Sequence, residues 1–157
     1  MFKRKSEQGR SMVEMLGVLA IIGVLSIGGI AGYTLSMRKY RANQIVDVVN
    51  KYALVSYSTC QKALLDGEIT DITKCSQRGY YEPPSFQDSN LVMPSDVVDI
   101  TFDSITQSSG MDIVRINAFI RDYNVCKAVE SVTGTNDISP CEPAFAGLGL
   151  AIFIKFN

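Results

Sequence analysis

Histidine is absent from the 157 residues. The chain therefore lacks the commonest general base and the commonest metal ligand, and no Ser-His-Asp arrangement can be built from it. Long runs of positive charge are missing as well. The net charge is −1, and beyond the extreme N-terminus the basic residues never gather into a long run. Duplex binding needs a concentrated basic footprint, so the composition argues against nucleic acid as the main partner. No CxxC pair occurs among the four cysteines, Cys60, Cys75, Cys126 and Cys141. An even count at wide spacing suits two structural disulfides better than a zinc site, and disulfides place that part of the chain outside the cytosol. The expectation is a protein that is not an enzyme and that carries no cofactor and no metal.

Formal charge is also missing from Met15 to Met37, a run of 23 residues. As a helix this run spans roughly 34 Å, enough for a hydrocarbon core of about 30 Å. Gly17, Gly23, Gly28, Gly29 and Gly32 interrupt it, and Gly28 and Gly32 have the GxxxG spacing that lets membrane helices approach closely. A secretory signal peptide has a shorter apolar region followed by a small-residue cut site. Here the run is followed by Arg38-Lys39-Tyr40-Arg41. A plain anchor fits the length but does not account for Glu14 at the head of the run. A charge at membrane depth costs about 2.5–3.5 kcal/mol even on the mildest scale, which makes Glu14 a functional candidate. Basic residues flank both ends of the run and do not orient it. The cysteines do: all four lie C-terminal to it, so the N-terminus is expected in the cytoplasm and the remainder on the oxidising side.

Beyond the run the helix is expected to continue. Ile45, Val48, Val49, Tyr52, Ala53 and Val55 fall at helical spacing, with Asp47, Asn50, Lys51 and Ser56 on the other face, and the pattern fades near Leu65. Residues 76–96 read as loop, with Pro83, Pro84 and Pro94 in it, and Tyr80, Tyr81 and Phe86 are expected to lie back on the apolar face of the helix rather than form a surface patch. In Val97–Ile105, Val98, Ile100 and Phe102 alternate with Asp99, Thr101 and Asp103, the pattern of a strand. Met111–Phe119 is a second strand, a short helix starts near Arg121 and ends near Gly134, and the tail from Gly147 is the last strand. One long N-terminal hydrophobic helix packed against a small antiparallel sheet is an α+β plan. Cys60 and Cys75 are 15 positions apart, as are Cys126 and Cys141, so pairing neighbours is the simplest of three connectivities. Asp66, Glu68 and Asp71 could gather around calcium, but their spacing is not that of an EF-hand loop, and a solvated turn is expected.

The string Gly9-Arg10-Ser11-Met12-Val13-Glu14, followed by the apolar run, resembles the prepilin-type signal of type IV pilins and of type II secretion pseudopilins. The likeness covers about residues 9–40. It implies cleavage after Gly9 by a prepilin peptidase, methylation of the new amino terminus at Arg10, and a role for Glu14, fifth after the cut, in assembly. It implies a leader over residues 1–9, a transmembrane half-helix over 10–37 and a globular head over 38–157. The function implied is a structural subunit of a type IV pilus-like filament. Its partners would be copies of itself, the peptidase, the inner membrane and the assembly machinery. The protein would sit in the inner membrane before assembly and in a cell-surface or periplasmic filament after it. A pseudopilin or minor pilin is the alternative, and an uncleaved bitopic membrane protein with an extracytoplasmic binding head is the second. In many pilins a disulfide near the C-terminus closes an exposed loop on the head, and the Cys126–Cys141 span resembles it. Two positions depart from the commonest family pattern: Arg10 stands where Phe, Met or Leu is usual, and Ala31 stands where many members carry a mid-span proline.

Overall fold

A computed structural model describes residues 7–76, 81–134, 137–144 and 147–156, with side chains from residue 12 onward. Helix α1 runs from Glu7 to Leu65, and the chain divides into two compact units at Met37/Arg38.

In the second unit, the part of α1 from Arg38 onward buries one stripe, made by Ala42, Ile45, Val49, Tyr52, Ala53, Ser56, Tyr57, Cys60 and Ala63. Steps of three and four residues return to one face of a 3.6-residue helix, which is why these positions and not their neighbours are covered. Asp47 and Lys51 hold the opposite face and pair at 2.7 Å. Ser56 departs from the expected polar face, because it is wholly buried. It lies one turn beyond Tyr52 and so falls on the buried stripe whatever its polarity. The helix ends in a Schellman arrangement: the Glu68 N–H reaches the Ala63 carbonyl at 2.9 Å and the Gly67 N–H reaches Leu64 at 3.3 Å. Gly67 supplies the left-handed turn, with φ of 77°.

The sheet is antiparallel with strand order β1-β2-β4-β3, where β1 is Val97–Ser108, β2 Met111–Ile120, β3 Glu142–Ala144 and β4 Gly147–Phe156. Ser109 and Gly110 join β1 to β2 with φ of 55° and 80°, the two positive values that a two-residue hairpin turn needs. The expected alternation in β1 does not hold throughout. Its buried residues are Val97, Ile100, Phe102 and Ile105, and Val98 is only half-buried. The register slips between Val97 and Asp99 and again between Phe102 and Ser104. Each slip adds one residue and exchanges the faces.

Ile100, Ile105, Val114, Ile116, Ile120 and Ile152 meet the α1 stripe in one continuous core. Tyr57 ties helix to sheet: its ring stacks on Phe156 at 4.3 Å and its hydroxyl donates to Asp112 at 2.7 Å. Burial, with Asp112 acting in the same direction, pushes the Tyr57 phenol above its ordinary pKa. Phe86 is buried edge-on to Tyr52 at 5.3 Å, and Tyr81 packs half-buried on the core. Both lie back on the fold as expected, while Tyr80 lies outside the described residues.

Helix α2 spans Tyr123–Thr133. The Asp122 carboxylate caps it, accepting the Asn124 N–H at 2.7 Å, and that bond holds its pKa below the usual value. Strand β3 had no sequence signal. It is three residues long and contains Pro143, a residue that only a sheet edge tolerates.

Among the glycines whose surroundings are described, Gly147 is the most tightly enclosed. Its φ is 143°, and an added Cβ would stand 2.9 Å from the Ile120 carbonyl oxygen. Gly147→Ala should destabilise the head by about 1–3 kcal/mol, because strained backbone and a backbone clash act together. A urea titration followed by far-UV circular dichroism checks this, and an unchanged midpoint would refute it.

Candidate functional site: the N-terminal apolar helix and its disulfide-bonded continuation

From Met12 to Leu35 every leucine, isoleucine and valine of α1 is more than half exposed. The helix is long and apolar enough to cross a membrane. An apolar surface of this extent on all sides of a helix has no place in water, since each fully buried aliphatic side chain gains about 1.5–3 kcal/mol. Two hydroxyls within it turn inward on their own backbone: Ser26 donates to the Ile22 carbonyl at 2.7 Å and Thr34 donates to the Ala31 carbonyl at 2.9 Å. Such bonds satisfy a hydroxyl where no water can. Around Gly28 and Gly32 nothing lies within 4 Å of where a Cβ would be, so the GxxxG positions are open to a close neighbour.

Gly9 and Arg10 lie in the first turns of α1, on backbone that is already helical. Their side-chain surroundings, and with them an Arg10–Glu14 pair, lie outside the described side chains, and residues 1–6 of the expected leader lie outside the described residues. Glu14 is exposed at the head of the apolar stretch. It is the one acidic residue between Met12 and Met37.

The cysteines pair as neighbours, Cys60 with Cys75 and Cys126 with Cys141, at Cα separations of 6.0 and 6.2 Å. The first bridge joins the last turns of α1 to the segment after a 3₁₀ turn, Ile72–Lys74. The second joins α2 to the segment leading into β3. Glu130 reinforces it, accepting the Cys141 N–H, while Lys127 pairs with Glu130 at 2.8 Å and lowers its pKa. Asp66, Glu68 and Asp71 are all exposed, and the Asp71 carboxylate caps the 3₁₀ turn by accepting the Thr73 N–H at 2.8 Å. Among the described residues no group of three His, Cys, Asp or Glu is placed to hold a metal.

Sequence reasoning missed a groove of about 600 Å³ beside β1, lined by residues far apart in the chain: Tyr52, residues 82–88 and residues 99–102. No local motif announces it, because three separate segments meet there. No family model, curated protein or solved structure matches the chain.

Proposed function

We propose that this chain is a structural subunit of a type IV pilus-like filament, inserted in the inner membrane as a precursor, cut after Gly9 and assembled through α1. The observation that carries the reading is the composition of one helix. A glycine, a glutamate five residues on and a membrane-length apolar surface follow one another in α1, and the same helix continues into the core of an α+β head stapled by two disulfides. A helix exposed along its apolar length can be housed first by lipid and then by the helices of neighbouring copies. The head, with its oxidised cysteines, belongs on the extracytoplasmic side.

The test is the N-terminus of the mature protein. Mass spectrometry of the native membrane and filament fractions should find a product that begins at Arg10, N-methylated, and Gly9→Phe should leave the precursor intact. Native protein that keeps residues 1–9 would refute processing and favour an uncleaved bitopic anchor. Abundance separates a major subunit from a pseudopilin or minor pilin, because a major subunit dominates sheared surface material.

A further inference from the structure

The groove beside β1 has β1 from Asp99 to Phe102 as one wall and loop 82–86 as the other, and Tyr52 of α1 lines it between them. β1 is an edge strand, paired to β2 on one side. On its other side the one bridge in the described residues joins Ser76 to Ser104, beyond the groove. No backbone bond among the described residues links loop 82–86 to residues 99–102. Pro83 and Pro84 have no N–H to offer, so this stretch of loop is poorly suited to completing the ladder. Side chains rather than a neighbouring strand hold this stretch: the Asp99 carboxylate accepts the Ile100 N–H at 2.9 Å, and the Tyr52 hydroxyl bonds the Phe102 backbone and donates to the Pro84 carbonyl at 3.0 Å, so an incoming strand takes over these exchangeable bonds. An edge of this kind is a template for another strand.

Among the described residues the rim carries one sign of charge: Glu82, Asp88 and Asp99 line the groove and no described Lys or Arg does. In a chain whose net charge is −1, three carboxylates on one groove are a local concentration. The floor is apolar, with Phe86, Ile100 and Phe102 nearly wholly buried. Tyr52 feels the same environment: burial pushes its phenol above the ordinary pKa, and Asp99 and Asp88 push it the same way.

We propose that this groove binds an extended cationic peptide, which adds to the β1 edge as a strand while its Lys or Arg side chains meet Glu82 and Asp88. Alternate residues of a strand point to opposite faces, so one set reaches the apolar floor while the other reaches the acidic rim. The chain's own basic cluster at 38–41 is not the occupant. It is helical, and Arg41 already pairs with Asp96 at 3.3 Å. The inference concerns the second unit alone and stands independently of the filament reading.

The experiment uses the full chain in detergent micelles and a fluorescent peptide of alternating Lys or Arg and Val, followed by anisotropy. Saturable binding is expected at low salt. It should be lost when alternate peptide amides are N-methylated, which removes the ladder donors, and when Glu replaces the cationic residues. Glu82→Gln with Asp88→Asn should weaken binding roughly tenfold, about threefold for each exposed carboxylate. Raising the salt to about 0.5 M should act in the same direction. Both substituted residues are exposed, so the variant should fold. Three results would each overturn the proposal: no saturable binding below millimolar peptide, equal binding of the N-methylated peptide, or unchanged affinity in the double variant.

Discussion

Replacing Glu14 by leucine should leave a protein that inserts in the membrane and is cut after Gly9, yet reduces filament yield to a few per cent or less. Glu14 stands exposed at the head of a surface that is otherwise apolar. A carboxylate taken to membrane depth costs several kcal/mol unless a cation meets it. Cleavage after Gly9 would create such a cation, the new amino terminus of the neighbouring subunit, at a similar depth. Pairing the two would set the axial stagger as each subunit docks, a role that the pilin likeness also implies. Arg10 offers a second positive group one turn away on the same helix. Leucine removes the charge and the requirement together, so insertion should improve while register is lost. Electron microscopy of sheared material and immunoblots of the membrane fraction measure the two quantities separately. Normal filament yield from a stably expressed Glu14→Leu chain would sink the assembly role and leave Glu14 as a boundary marker in the headgroup region.

Loss of both disulfides should unfold the head. Each bridge closes a loop of 15 positions. In the chain-entropy account such a loop contributes about 3 kcal/mol, chiefly by restricting the unfolded chain. The two loops share no residue, so their contributions should add to about 6 kcal/mol, against a typical domain stability of about 5–15 kcal/mol. Cys60, Cys75 and Cys126 are completely buried, so alanine is the replacement that avoids leaving an unpaired hydroxyl inside. Cys126→Ala/Cys141→Ala should lower stability by about 3 kcal/mol and free the segment leading into β3. The quadruple variant should lose the sheet signal in circular dichroism at physiological temperature. Urea titrations of the oxidised chain and the two variants check the order. A quadruple variant as stable as the oxidised chain would show that the core alone suffices, and free thiols in native protein would contradict the extracytoplasmic placement.

The architecture was largely legible in the sequence. The strands β2 and β4, the helix between Asp122 and Gly134, and the amphipathic continuation of α1 are legible from local composition and period, and such patterns survive folding when their apolar residues are buried. What local reading mistook has specific causes. Ser56 looked polar and is buried, because position on the helix outranks the character of a small side chain. Val98 looked like a core residue and is half-buried, because two register slips in β1 exchange the faces, and a slip depends on the partner strand. β3 is too short and too proline-bearing to carry a periodic signal. The candidate cleavage residues Gly9 and Arg10 and the candidate assembly residue Glu14 were visible because they fall within one contiguous string, whereas the groove was not, because Tyr52, Asp88 and Asp99 come from three segments.

By itself the sequence determined the membrane-length apolar helix with Glu14 at its head and the α+β plan. These follow from composition and short-range period, which are properties of consecutive residues. Only the tertiary structure decided which cysteines meet, where the faces of β1 exchange, and that a groove with three carboxylates among its described residues opens beside β1. Those features arise where segments distant in the chain come within bonding reach. Such contacts depend on how the whole head packs, and no window of consecutive residues contains them.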